Sequence, residues 1–308
     1  PLSVAAAIGA AARRGLLVRG PEALDALARV DTVVFDKTGT LTGGVPEVVE
    51  ASDAVLRVAA GLERQSRHPI ARAIIAEAAR RGIPLPSPRA VLERPGVGVT
   101  GEVDGQRYHL GRGDRGVELR DRHGVVGAIV LADRVRDDAQ ATVARLRSLG
   151  VRVALLSGDR DDVVTRVAAA VGIDDARGEA EPEAKAADIA TRVGSGQRVA
   201  FVGDGINDGP ALAAASVGVA MGSGAAASVQ VADAVQVGEG LGGLVAGIEL
   251  ARRARAAVHA SSRRSVAYNA VAVSLAALGL VNPLVAAALM PLSSAMVLFT
   301  AHRIGRPS

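Results

Sequence analysis

The sequence predicts an α/β fold with two additions, an inserted α+β domain and a C-terminal apolar helical hairpin. Three observations carry this expectation. Short apolar runs such as Val33–Phe35, Val151–Leu156 and Val199–Val202 alternate with amphipathic helical stretches, the pattern of a parallel sheet covered by helices. Between residues 46 and 127 that alternation gives way to a helical stretch and then to short strands with hairpin signals. From Ser265 to Thr300 there is no charged residue, a run of 36. That is enough for two tightly joined helices at the short end of the membrane-spanning range.

Composition narrows the possibilities. The 308 residues suffice for about two domains. Apolar residues make up 49% but aromatics only 2%, so the core must be built from Ala, Val and Leu. No Cys is present, which excludes disulfides and thiolate metal sites within these residues. The net charge of +4 comes from 36 basic residues spread among 32 acidic ones. No basic run is interleaved with aromatics, so nucleic acid is not an expected partner.

Residues 1–14 are an apolar stretch closed by Arg13-Arg14, too short to cross a bilayer. They read as a small core helix or as the cytoplasmic end of a truncated membrane helix. Residues 15–45 continue with Gly-Leu-Leu-Val-Arg-Gly and a helix placing Leu24, Leu27 and Val30 on one face. A buried strand over 31–35 then runs into Asp36-Lys37-Thr38-Gly39-Thr40-Leu41-Thr42. A strand that ends in a carboxylate can present a nucleophile, although a lone Asp there more often caps a turn.

Residues 46–127 form the insertion. Ala54 to Arg81 is helical by its apolar spacing, interrupted near Arg67-His68-Pro69, and Pro84, Pro86 and Pro88 mark a loop. Short strands follow at Val97–Val99, Glu102–Val103, Arg107–Leu110 and, after the hairpin-like Asp121–Gly124, Val125–Val130. The run from Gly96 to Gly101 spells G-x-G-x-x-G. A dinucleotide site needs a helix to start there, and a strand pattern follows instead, which excludes it. Arg112-Gly113-Asp114 reads as a chance tripeptide.

Residues 128–258 return to α/β alternation. A strand over Val126–Leu131 leads to Asp133-Arg134-Val135-Arg136-Asp137-Asp138. Ala139–Leu149 is a helix stopped by Gly150. The strand Val151–Leu156 ends at Ser157-Gly158-Asp159, and a helix over 161–171 follows. Pro182-Glu183-Ala184-Lys185 opens another helix. The strand Val199–Val202 ends at Gly203-Asp204-Gly205-Ile206-Asn207-Asp208-Gly209-Pro210-Ala211-Leu212. Asp204 and Asp208, two carboxylates at a strand end, suit Mg²⁺, a hard ion that takes oxygen ligands. Last strands are read at Val217–Ala220 and Ala234–Val237.

Residues 259–308 open with Arg263 and Arg264, after Arg252, Arg253 and Arg255, and close with His302, Arg303 and Arg306. Between them lie the two expected membrane helices, joined at Asn282-Pro283. Basic flanks at both ends put both ends in the cytoplasm. A buried soluble hairpin is the alternative. Polar groups inside membrane helices tend to be functional. Tyr268 and Asn269 lie in the first helix; Met290, Ser293 and Ser294 lie in the second. A thioether suits Cu(I), while in the bland reading Met290 fills a gap and the serines bond to helix carbonyls.

The motifs carry a specific resemblance. DKTGTLT, with Asp36 at its head, is similar to the phosphorylation signature of P-type ATPases, a branch of the haloacid dehalogenase superfamily. GDGINDGPAL at 203–212 matches that family except at Gly209, where Ala is usual. Ser66-Arg67-His68-Pro69 resembles the Ser-x-His-Pro motif of the heavy-metal branch. The resemblance implies a Rossmann-like phosphorylation domain in two parts, 15–45 and 128–258, a nucleotide-binding domain over 46–127, and two transmembrane helices over 259–308.

It also implies roles. Asp36 attacks the γ-phosphoryl group of ATP and carries an aspartyl phosphate. Asp36, Thr38 and Asp204 hold Mg²⁺. Lys185 balances charge on the phosphoaspartate, and Ser157, in the family's Thr position, holds the transferring group. Lys37, Gly158, Asp159, Asn207 and Asp208 complete the catalytic set. Glu63, His68, Pro69, Gly96 and Gly98 form the nucleotide site. Gly111-Arg112 departs from the usual Gly-Asn and weakens the expectation of tight nucleotide binding. Tyr-Asn at 268–269 with Met290, Ser293 and Ser294 is the copper(I) pairing; zinc and cadmium members carry a Lys and an Asp there. The expected function is ATP-driven export of a heavy-metal cation, Cu(I) by preference. The chain reads as an incomplete pump, multi-pass in the cell membrane, with lipid, the metal ion and an N-terminal membrane part as partners. A soluble haloacid-dehalogenase phosphatase is the main rival. The apolar run at 265–300 argues against it, as does Thr38, where such phosphatases usually carry a second Asp.

Overall fold

The computed structural model describes residues 2–94, 96–113, 116–204, 206–222, 226–238 and 240–278. In chain order the elements are α1 (Leu2–Arg13), β1 (Leu16–Val18), α2 (Pro21–Arg29), β2 (Thr32–Asp36), β3 (Thr42–Glu50), α3 (Asp53–Leu62), α4 (Pro69–Arg80), β4 (Arg89–Arg94), β5 (Gly98–Val103), β6 (Gln106–Gly113), β7 (Gly116–Asp121) and β8 (Gly124–Val135). They continue with α5 (Ala139–Ser148), β9 (Arg152–Leu156), α6 (Asp161–Val171), β10 (Asp175–Arg177), α7 (Pro182–Gly194), β11 (Val199–Gly203), α8 (Gly209–Ala214), β12 (Val217–Met221), α9 (Ala226–Val231), β13 (Ala234–Gln236) and α10 (Gly242–Ala277). The chain divides into two units. One comprises the residues up to Leu41 and those from Arg136 onward; the other is Thr42–Val135.

The first unit is built on a seven-stranded sheet of order β1-β13-β12-β11-β2-β9-β10. All its pairings are parallel except β1 with β13. Strands β2, β11 and β12 are buried along their whole length, as expected for Val- and Ala-rich runs covered on both faces. Val34, Phe201, Ala154 and Leu156 of the sheet pack with Ile189 of α7 and Leu212 of α8. β2 is flanked by β9 on one side and β11 on the other. That reversal of strand order opens a crevice at the carboxyl ends, the usual place for a ligand in such sheets. Asp36, Ser157 and Asp204 stand at the ends of these three strands.

α10 runs across residue 258, where the sequence suggested the start of the C-terminal segment. The helix starts at Gly242 and runs unbroken through the arginine cluster and into the uncharged stretch. No Pro interrupts it, and Ala, Leu and Arg favour a helix. Its first part docks on the unit: Ile248, Leu250, Ala251 and Ala254 are buried. Arg252 donates to the carbonyls of Val30 and Leu149, and Glu249 pairs with Arg145. Among the described residues no helix is long and apolar enough to cross a membrane. The second expected membrane helix, with Met290, Ser293 and Ser294, lies outside the described residues.

The second unit is a six-stranded antiparallel sheet of order β3-β8-β7-β6-β5-β4 with helices α3 and α4. Burial alternates along β5, as expected of a sheet with one covered face. Val99, Val103, Leu110, Leu119 and Ile129 from the sheet and Leu56, Ala59 and Ile74 from the helices make its core. Ser52 caps α3, its hydroxyl accepting from Val55 N–H, and His68 caps α4 with Pro69 in the first turn. β7 and β8 meet at Asp121–Gly124, the hairpin seen in the sequence. The strand expected over Val126–Leu131 belongs here, within β8, rather than to the parallel sheet. Val97–Val99 and Glu102–Val103 merge into β5, while β3, β4, β7 and β10 had no sequence signal.

Leu56 is completely buried in this core. Leu56→Ala is expected to destabilise the second unit by about 2–5 kcal/mol. Urea unfolding followed by circular dichroism checks this, and a loss below about 1 kcal/mol would show a core that collapses around the deletion.

Candidate active site and nucleotide cavity

The loops after β2 and β11 and the first turn of α7 bring four charged side chains together. Lys185 Nζ lies 2.5 Å from Asp36 Oδ1 and 2.9 Å from Asp208 Oδ1. Asp36, Asp204 and Asp208 each offer a carboxylate oxygen within 4.8 Å of the others. Asp36, Lys185 and Asp208 are buried, where charges persist only when paired. Burial disfavours the Lys185 ammonium, but the charges of Asp36 and Asp208 outweigh it and hold its pKa above the ordinary value. Burial, then the charge of Asp208, push Asp36 up to about 7 against the pull of Lys185. Burial and Asp208 raise Asp204 as well. Three carboxylates thus converge where one ammonium is in hydrogen-bond contact. The excess negative charge and the all-oxygen donor set fit a hard divalent cation.

The segment Lys37–Leu41 is shaped for this crowding. Gly39 has φ +71, and a Cβ there would overlap the Asp204 carboxylate. Only glycine allows both the left-handed backbone and that approach. Arg136 clamps the loop from the far side of the insertion. Its Nε donates to Thr40 O at 2.7 Å and its Nη2 to Gly39 O at 2.8 Å. The Thr40 hydroxyl is fully buried with no hydrogen-bond partner among the described residues. Lys37, also buried, pairs with Asp159 at 2.5 Å. Ser157 is buried beside them and its Oγ accepts from Asp159 N–H. Gly158, Thr38 and Asn207 are exposed. Among the described residues no hydrogen bond joins Thr38 or Asn207 to the carboxylate cluster. The clamp by Arg136 had no sequence signal beyond its place in the Asp-x-x-Arg run.

The second unit holds a cavity of about 690 Å³. Val99, Leu110, Val117 and Leu131 line its apolar part, and Glu63, His68, Gly96 and Gly98 also border it. Pro69 is not in the lining; it opens α4 behind His68. Glu63 is buried, and its Oε2 has no hydrogen-bond partner among the described residues. Burial raises the Glu63 pKa; Ser66 opposes this by hydrogen bonding and Glu93 adds to it by its charge. His68 Nδ1 accepts from Ile70 N–H, which places the ring proton on Nε2. Gly98, at φ +135, crosses so close to β6 that a Cβ would overlap the Leu110 carbonyl. A largely apolar cavity bordered by a carboxylate with one unsatisfied oxygen suits a heterocyclic base bearing an amino group. Tyr268 and Asn269 sit far along α10, both exposed.

The raised pKa of Asp36 sets a pH dependence. Its folded value exceeds the unfolded one, so its stabilising protonation is complete below about pH 4 and lost as pH rises through about 7. Asp36→Asn has no such loss. In EDTA the variant is expected to gain on the unsubstituted chain between pH 5 and pH 8, by on the order of 2–4 kcal/mol. Urea unfolding at both pH values checks this, and a pH-independent difference would contradict it.

Comparison with known proteins places this chain in a family. A haloacid dehalogenase-like hydrolase model matches residues 30–216. The probable copper-exporting P-type ATPase V of Mycobacterium tuberculosis is 36% identical over 99% of this chain and 44% of its own length. The copper-exporting P-type ATPase B of Archaeoglobus fulgidus is 37% identical over 98% of this chain and 48% of its own. The chain therefore spans under half the length of these curated relatives. A zinc-transporting PIB-type ATPase in an E2.Pi state superposes with a TM-score of 0.89 and 31% identity, over 99% of this chain and 55% of that one. The chain carrying Asp36, Lys185 and Asp208 belongs to the haloacid dehalogenase-like hydrolases and, within them, to the heavy-metal-transporting P-type ATPases.

Proposed function

We propose that this chain supplies the phosphorylation and nucleotide-binding parts of an ATP-driven heavy-metal exporter. The observation that carries this is the Lys185 ammonium shared by Asp36 and Asp208 at the end of β2. Asp36 is the nucleophile. One of its oxygens attacks the γ-phosphorus of ATP, the bond to the β–γ bridging oxygen breaks, and ADP leaves. Lys185, already between Asp36 and Asp208, stays to neutralise charge on the aspartyl phosphate. The Ser157 hydroxyl donates to a phosphoryl oxygen, and Lys37 with Asp159 fixes the loop beside it. Water later cleaves the acyl phosphate and returns the Asp36 carboxylate and inorganic phosphate.

Mg²⁺ fits the oxygen donors of the cluster. Asp36, Asp204 and the Thr38 carbonyl would hold it, with Asp208 and Asn207 behind, and it would neutralise the phosphoryl oxygens. In the second unit Glu63 Oε2 accepts from the exocyclic amine of adenine. His68 donates from Nε2, and Gly96 and Gly98 let the base lie against the backbone.

Copper(I) is the proposed cargo, supported by relatives that are copper exporters and by Tyr268 and Asn269 with Met290, Ser293 and Ser294. Zinc is the second reading, favoured by the likeness to a zinc-transporting structure. In the complete pump, residues 265–300 would form two membrane helices in the lipid of the cell membrane, with both units on the cytoplasmic side. Transport is a property of the whole pump, including its N-terminal membrane part.

Asp36→Asn is expected to abolish acid-stable labelling by γ-labelled ATP, because an amide does not attack phosphorus. Label retained at the unsubstituted level would remove Asp36 as the nucleophile. Glu63→Gln is expected to weaken adenosine binding about 10-fold, the worth of one charge-assisted hydrogen bond. Calorimetry checks it, and unchanged affinity would take Glu63 out of the site.

A further inference from the structure

We propose that Arg112 is the anion anchor of the cavity, binding the phosphate chain of the nucleotide. This rests on the reading of that cavity as the nucleotide site. Leu110 and Arg112 are two apart on β6 and therefore share a face of the sheet. Leu110 is 1% exposed and lines the cavity, and Arg112, two residues further along β6, lines the same cavity and is exposed. Its neighbour across the ladder, Val117, also lines the cavity. Among the described residues Arg112 makes no ion pair and no side-chain hydrogen bond.

Charge decides the ligand's orientation. Glu63 and Glu93 border the cavity and repel a phosphate chain, and Arg94, exposed on β4, is the second arginine of the lining. Glu63 is buried and Arg112 exposed, so an amino-bearing base directed to Glu63 leaves its anionic tail toward solvent, on the side of Arg112. A guanidinium there offers two parallel N–H donors to phosphate oxygens. The Asn usual at this position in the family would offer a neutral donor only. The departure at Gly111-Arg112 is thus a gain of charge recognition, and Arg112 is a specificity residue for nucleotides over nucleosides.

The test is calorimetry on the full 308-residue chain in EDTA, with adenosine and ADP as probes, for the unsubstituted protein and for Arg112→Ala, Arg112→Asn and Arg112→Lys. ADP affinity is expected to fall about 10-fold in Arg112→Ala and Arg112→Asn, while adenosine affinity changes less than about 2-fold. Arg112→Lys is expected to recover part of the loss, and the salt dependence of ADP binding should flatten only in the neutral variants. Unchanged adenosine affinity shows that each variant retains the fold of the cavity. Equal loss of both ligands, or ADP affinity unchanged in the neutral variants, would overturn the role of Arg112 while leaving the cavity reading intact. Failure of the unsubstituted chain to bind either probe would overturn the cavity reading and this inference with it.

Discussion

The contact on which the first unit depends is one ammonium held between two carboxylates. Lys185 Nζ touches Asp36 and Asp208 inside a buried pocket, and its position is enforced from behind. Ile189, one turn later on α7, is completely buried in a cluster with Phe201 and Leu212. Side chains four apart on a helix share a face, so the seating of Ile189 aims Lys185 at the end of β2. The apolar core thereby orients the charge. Without the lysine, three carboxylates would share a buried site, and at least one would take up a proton.

The same logic explains the backbone around it. Acidic side chains can be this close only where no other atoms intervene, and the missing Cβ of Gly39 supplies the room. Arg136 then fixes the loop by its carbonyls and leaves the carboxylate oxygens available to a cation. In the second unit the chemistry is of a different kind. An apolar lining of Val99, Leu110, Val117 and Leu131 is bordered by a few polar groups, Glu63, His68 and Arg112 among them.

Much of this was legible in the sequence. β2, β9 and β11 announce themselves as Val-, Ala- and Leu-rich runs, and each ends in a motif whose polar residues the sheet topology gathers at one edge. Glu63 and His68 were readable only through the Ser-x-His-Pro motif, since neither spacing nor hydropathy sets them apart. The strands that escaped notice share a cause. β4, Arg89-Ala-Val-Leu-Glu-Arg94, is exposed at every position, so no buried alternation marks it. β3 carries Gly43, Gly44 and Pro46 and is a strand because β8 pairs with it. The clamp of Arg136 joins residues 96 and 97 positions apart, a distance over which local pattern says nothing. The continuity of α10 through the arginine cluster into the uncharged stretch was not legible, because charge interrupts the apolar pattern while the backbone stays helical.

The insertion leaves the first unit after Leu41 and returns at Arg136, and its end residues Thr42 and Val135 are cross-strand partners. Its two ends lie side by side, so placing a whole domain there costs the host little closure entropy. The order of synthesis is affected more. Thr42–Val135 is continuous in sequence and its strands β4 to β8 pair with their immediate neighbours, so this unit can complete itself as it emerges from the ribosome. β2, with Asp36, is made before it but finds its partners β9 and β11 only when residues 152–156 and 199–203 arrive. The strand that carries Asp36 is therefore made early and seated only when later strands arrive.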